Sequence, residues 1–153
     1  MRFVMLRFGI LVCASALLAF ADGFSFTIGS PVASPDFHAK GAVFVFRTDG
    51  CADPAKSQIA GTAEGLVKGA RRSVALKILA MTKPGVYAVN QNWPPEGDWV
   101  VNLKGTCSGA HAGALVPIGP KGIIREASKF FPRPATDAEI EASLKALAQG
   151  GNQ

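Results

Sequence analysis

Short runs of alternating apolar and polar residues, separated by turn residues, fill most of the chain after residue 22. Phe24–Ile28 alternates strictly, as a strand does when only one of its faces is buried. Ala42–Phe46 is apolar at both parities, which is typical of a strand covered on both faces. These two patterns predict β-strands.

The same periodicity predicts five further strands. Gln58–Val67 is interrupted by glycine and predicts a bulged strand, and Arg72–Ala80 alternates over most of its length. Turns such as Pro84-Gly85 separate the runs. The remaining three predicted strands are Val86–Val89, Asp98–Leu103 and Ala114–Ile118.

One segment near the end of the chain has helical spacing instead. Thr136 is followed three residues later by Glu139, the pattern of a capping box. An apolar stripe then recurs at i, i+4 and i+7, which predicts an amphipathic helix over about residues 136–149. The stripe consists of Ile140, Leu144 and Leu147. About seven short strands and one C-terminal helix predict a mainly β fold, an antiparallel β-sandwich.

The first 21 residues have the composition of a cleavable signal peptide. Arg2 and Arg7 supply positive charge, Phe8–Leu18 is apolar, and Ala19-Phe20-Ala21 has the small-x-small pattern of a cleavage site. A retained anchor is the alternative, but a spanning helix needs about 20 apolar residues. We therefore expect an exported protein, periplasmic or secreted, without stable membrane insertion after cleavage, and residues 22–153 as one β-sandwich domain.

The cysteine count changes when the signal peptide is removed. Cys13 leaves with it, so that Cys51 and Cys107 remain as an even pair. Exported proteins fold in oxidising compartments, so the sequence predicts one disulfide between these two residues.

A signal peptide, one disulfide and short β-runs together resemble the small immunoglobulin-like or transthyretin-like sandwich modules of exported proteins. The resemblance covers roughly residues 41–118 and implies architecture alone. Trp93 and Trp99 lie between the cysteines but close to the second one, and Gly105 stands where an immunoglobulin domain has tyrosine. No functional residue is carried over from it.

Charge and motifs exclude several function classes. Removing Arg2 and Arg7 lowers the formal charge from +5 to +3, and the basic residues are scattered, so no nucleic-acid partner is expected. No dinucleotide fingerprint, phosphate loop or zinc pattern occurs, and no cofactor is expected.

A nucleophile elbow is one candidate for chemistry. Gly105–Gly109 has the G-x-S-x-G spacing of α/β-hydrolases with Cys107 at the serine position, and His111 follows four residues later. A helix should follow such an elbow, but Gly113 and Pro117 interrupt this segment. The sequence therefore favours the disulfide for Cys107 and predicts no catalytic residue.

A metal site is a second candidate. His38, His111 and Met81 are the ligands that exported copper-binding sandwiches use, but no two are close in sequence. Surface histidines and a core methionine are the simpler interpretation, so no metal site is predicted.

A binding surface is the third candidate. Tyr87, Trp93, Pro94 and Pro95 combine amphipathic aromatic rings with a proline-stiffened loop. The leading hypothesis is thus a non-enzymatic exported module that binds a protein, a glycan or an envelope component. A periplasmic metal carrier or redox accessory protein is the alternative, and a cysteine hydrolase using Cys107 comes third.

We predict that the exported protein begins at Asp22, because Ala19 and Ala21 fit the −3 and −1 positions of signal peptidase. N-terminal sequencing or the intact mass of exported material measures this directly. An exported protein that retains Met1 would contradict it.

Overall fold

The computed structural model describes residues 23–31, 34, 36 and 39–150. The predicted signal peptide, Met1–Ala21, lies outside these residues. The described part contains ten strands and one α-helix. They are β1 (Ser25–Gly29), β2 (Ala42–Asp49), β3 (Gln58–Val67), β4 (Ala70–Ala75), β5 (Lys77–Ala80), β6 (Val86–Asn90), β7 (Asp98–Cys107), β8 (Ala110–Gly119), β9 (Gly122–Ile123), β10 (Lys129–Phe131) and α1 (Asp137–Gly150).

The strands form two antiparallel sheets. The first has the order β1-β2-β6-β5 and the second β10-β8-β7-β3-β4, with β9 paired to β8. This arrangement confirms the predicted mainly β sandwich with a C-terminal helix.

The predicted count of seven strands was too low. Arg72–Ala80 is two strands in different sheets, because the chain crosses over at Leu76, whose N–H donates to the carbonyl of Gly61. The strands β9 and β10 have two and three residues, too few for a recognisable alternation. The residues after Leu103 are small, so no alternation indicated that β7 continues to Cys107 or that β8 begins at Ala110. Each of these two strands is ten residues long.

Aromatic and aliphatic side chains from both sheets fill the space between them. Glycines allow the largest rings to approach the neighbouring backbone: a Cβ on Gly65 would lie 2.5 Å from the Trp99 ring, and one on Gly105 would lie 2.8 Å from the Phe26 ring. Alternate residues of each long strand point into this core. Its largest buried members include Phe26, Phe44, Phe46, Trp99, Val101 and Leu103.

The helix α1 covers the outer face of the second sheet. Ile140 and Leu144 are buried against Val100 and Leu115, and Leu147 packs partly against them. The predicted capping box is present, since Thr136 N–H donates to the Glu139 carboxylate at 2.8 Å and Glu139 N–H donates to Thr136 Oγ1 at 3.3 Å.

An ion pair fixes the start of the helix further. Arg133 donates to both carboxylate oxygens of Glu139, at 2.9 and 2.8 Å. The Arg133 hydrogen bond, together with the backbone hydrogen bond from Thr136, lowers the pKa of Glu139 to about 2. Glu139 therefore stays ionised, and the cap stays formed, through the range in which ordinary carboxylates titrate.

A buried carboxylate lies beside the helix on the same face. Glu64 accepts hydrogen bonds from Thr62, Ser73 and Arg71, and Arg71 also approaches Glu141 of α1 at 4.0 Å. Burial alone would raise the pKa of Glu64, but these hydrogen bonds and the Arg71 charge outweigh it, so that the pKa is lowered. The cluster therefore links the edge of the sheet to the helix, and the charge of the Glu64 carboxylate is paired with that of Arg71.

The disulfide predicted between Cys51 and Cys107 is present, with the Cα atoms 5.9 Å apart. Cys51 follows β2 of the first sheet, and Cys107 ends β7 of the second. The bond therefore joins the two sheets at one end of the sandwich. It closes a loop with a sequence separation of 56 residues, worth roughly 4 kcal/mol in the chain-entropy model.

Replacing both Cys51 and Cys107 by alanine should lower the free energy of unfolding by about 2–5 kcal/mol, because the unfolded chain regains its loop entropy. Urea unfolding measures the loss, and thiol titration of the denatured, unreduced wild type should find no free thiol. Two free thiols, with rapid alkylation of Cys107, would contradict the pairing.

Leu144→Ala should lower the free energy of unfolding by about 2–5 kcal/mol, because it leaves a cavity between α1 and the sheet. Leu144 is 1% exposed. Lys145→Ala is the matched control on the exposed face, with an expected change within about 0.5 kcal/mol. Equal effects of the two changes would mean that the helix is not docked.

Candidate binding cleft

The loop between β6 and β7, residues 91–97, crosses from one sheet to the other at the end of the sandwich away from the disulfide. The strand β7 starts beside this loop at Asp98 and ends at Cys107. Ten residues of strand span about 30 Å. The loop and the disulfide therefore lie at opposite ends of the molecule.

Several contacts hold this loop in place. Asn92 donates from its side-chain amide to the carbonyl of Ala75 at 2.7 Å, and Trp99 Nε1 donates to the carbonyl of Glu96 at 2.8 Å. Trp93 is 5% exposed, and the centroid of its ring lies 6.4 Å from that of Trp99. The loop is thus a fixed wall, packed into the end of the core.

Gly97 closes the loop in the left-handed region, with φ at +91°. A Cβ there would lie 2.5 Å from the carbonyl oxygen of Leu66 and 3.0 Å from Val67. Glycine is therefore required both by the backbone conformation and by the close approach to β3.

A cleft of about 860 Å³ lies at this end. One wall is the loop 91–97, the second is the last two turns of α1, and the third is the segment from the end of β8 to the start of β10. Its apolar lining includes Trp93, Trp99, Pro117, Ile118, Ile124 and Leu147.

Few polar groups line the cleft, and most of them have no side-chain partner among the residues that the structure describes. Asp98 and Lys129 form no ion pair within the part of the chain that the structure describes. Trp93 Nε1 likewise donates no hydrogen bond to any described residue. The end of α1 at Gly150 also reaches the cleft, and its last turn carries no basic residue to offset the negative end of the helix dipole.

The structure separates the four residues predicted for binding. Trp93 and Pro95 line the cleft, whereas Pro94 is exposed beside it. Tyr87 lies towards the disulfide end, where its ring stacks on Phe46 and its hydroxyl lies 3.0 Å from Ser57 Oγ. Tyr87 therefore supports the core and does not join the others.

No sequence pattern indicated which residues form the remaining walls of the cleft. Ile118 comes from the end of β8, and Ile124 comes directly after β9. Leu147 was identified as part of the helical stripe, but its place at the cleft depends on where the helix ends. No local pattern marks residues that meet only through the fold.

The candidate metal ligands do not come together. His111 is exposed on the outer face of the second sheet, while Met81 is buried on the outer face of the first sheet with Ala39 and Ala88. His38 lies outside the described residues. Among residues 23–31, 34, 36 and 39–150, no group of three His, Cys, Asp or Glu side chains is placed to hold a metal ion.

The candidate elbow at Gly105–Gly109 is a tight β-hairpin. Cys107 pairs with Ala110 across a two-residue turn in which Ser108 and Gly109 both have positive φ, 49° and 83°. Strand β8 follows this turn, where the hydrolase motif requires a helix, and the Cys107 sulfur is held in the disulfide. The disulfide expected at Cys107 is confirmed.

In comparisons with protein-family models, with curated proteins and with solved structures, nothing matches this chain. No helix in the described part of the chain is long and apolar enough to cross a membrane.

Proposed function

We propose that this chain is an exported, disulfide-stapled, non-enzymatic binding module, and that it binds its partner in the cleft at the Trp93 end. The observation that carries the proposal is the cleft itself. It joins a mostly apolar surface to two charged groups that form no ion pair with any described residue, on walls held by hydrogen bonds and core packing.

The dimensions of the cleft support this function. Ligand sites are typically concavities of about 300–1,000 Å³, mostly apolar, with a small number of polar groups that orient the ligand. The cleft has a volume of about 860 Å³, and Asp98 and Lys129 are its charged lining residues. The anchored loop and the docked helix would spare a ligand the cost of ordering the site.

Two independent features support export. The apolar run with its small-x-small site precedes the described residues, and the disulfide joins the two cysteines that would survive cleavage. Disulfides persist in the periplasm and outside the cell and are rare in reducing compartments. Periplasmic or secreted localisation accounts for both features.

Filling the cleft should abolish binding without disturbing the fold. Ala146 lines the cleft and is exposed, so that Ala146→Trp places a large ring in the opening. Ala142 is exposed one turn earlier on the same helix and does not line the cleft, so Ala142→Trp is the matched control. We expect wild type and A142W to retain the same material from the native envelope fraction. A146W should bind this material at least about tenfold more weakly, a loss of about 1.4 kcal/mol of binding free energy.

Thermal unfolding of both variants controls for stability, and both should melt within a few degrees of wild type, since exposed substitutions rarely cost more than about 0.5 kcal/mol. If A146W and A142W retain the same material equally, the cleft is not the binding site and the proposal fails.

A further inference from the structure

We infer that the ligand of this cleft is an extended segment of a partner protein, with a large apolar side chain next to a lysine or arginine. The inference rests on the proposed function and specifies the chemistry of the same cleft. Three features of the walls support it: the burial of the tryptophan faces, the balance of charge and the unpaired donor of Trp93.

The tryptophan rings offer little open face to a ligand. Trp93 is 5% exposed and Trp99 is 3% exposed. Trp99 lies against the backbone of Gly65, where even a Cβ would come within 2.5 Å of the ring. A sugar needs an exposed ring face for stacking, so this arrangement disfavours a glycan.

The apolar lining is suited to an inserted side chain instead. Ile118, Ile124 and Leu147 are half-buried and line the cleft together with the two buried tryptophans. A single leucine or phenylalanine side chain buried there would contribute roughly the binding free energy of a protein–protein anchor residue. A flat or wholly polar ligand would leave this surface unused.

The charges around the cleft favour a cation on its helix side. The Asp98 carboxylate has no partner among the described residues, and the last turn of α1 has no basic side chain. A lysine or arginine next to the anchor would pair with Asp98 and complement the negative end of the helix. An anionic lipid headgroup would instead meet two sources of negative potential there.

Lys129 adds one positive charge from the strand β10, where it pairs with Leu115 on the sheet face that α1 covers. It carries no ion pair with a described residue. In our proposal Lys129 lies outside the contact with the basic residue of the partner. It therefore provides a charge-removal control of opposite sign in the same cleft.

An extended peptide also matches the unpaired donor. Trp93 Nε1 donates to no described residue, and it is not among the buried polar atoms that lack a partner, so it is open to solvent. Each residue of an extended segment presents a carbonyl that needs a donor when it leaves water. An acyl chain has no such acceptor along its length, so the indole N–H would stay unpaired beneath it.

Selection from a random decapeptide phage library tests the inference, with the oxidised protein from Asp22 onward as bait. We expect enriched peptides to share an apolar residue adjacent to lysine or arginine. Binding of the best synthetic peptide should fall at least about tenfold with Ala146→Trp and stay unchanged with Ala142→Trp. Asp98→Asn should weaken it about two- to fivefold, the range of a partly exposed ion pair. Lys129→Gln should strengthen it, because it removes a positive charge from the cleft that holds the basic residue.

Two parallel probes separate this inference from the proposed function. One is the fluorescent fatty acid cis-parinaric acid, and the other is an array of neutral oligosaccharides. One outcome is that either probe binds wild type and binds A146W more weakly, while the selection enriches no peptide or enriches acidic peptides. The peptide inference is then wrong, and the cleft is still the binding site. If no probe binds in a manner sensitive to A146W, both fail.

Discussion

The burial of strand β7 on both faces is the constraint on which the rest of the structure depends. Val100 and Val101 are consecutive residues with opposite orientations, and both are completely buried. One face must therefore be covered by the first sheet and the other by the helix α1. A strand in this position removes a large apolar area from water on each side, which is the dominant favourable term in folding.

The two ends of this strand have different roles. At Cys107 it is tied by the disulfide to the loop after β2, so the sheets are held together where the hairpin of β7 and β8 turns. At Asp98 no covalent link exists, and the crossing loop is held by hydrogen bonds and by the packing of Trp93 on Trp99. The stapled end is closed, and the end held only by noncovalent contacts contains the cleft.

Glycines adjust the distance between the layers. Gly113 lies on the outer face, where the backbone of Arg133 and Pro134 crosses directly over it. This crossing sets the distance between the sheet and the start of α1, so that Leu144 packs against Val100 and Leu115. Because interiors are packed as densely as organic crystals, a side chain at Gly113 would lift the helix start away from the sheet. The shape of the cleft depends on the same placement, since the helix forms one wall.

The sequence by itself determined what is local. The alternation in Phe24–Ile28 and the capping box at Thr136 follow from a period of two residues and from the hydrogen-bonding needs of a helix end, which neighbouring residues satisfy. The pairing of Cys51 with Cys107 followed from counting cysteines, because these two are left once Cys13 is set aside with the predicted signal peptide. Only the tertiary structure decided that Arg72–Ala80 divides between two sheets at Leu76, and that Tyr87 belongs to the core near the disulfide rather than with Trp93. The cleft combines a loop, a strand end and a helix end that are up to about 60 residues apart. These segments come together because of the strand order and the position at which the helix ends, and the spacing of neighbouring residues predicts neither.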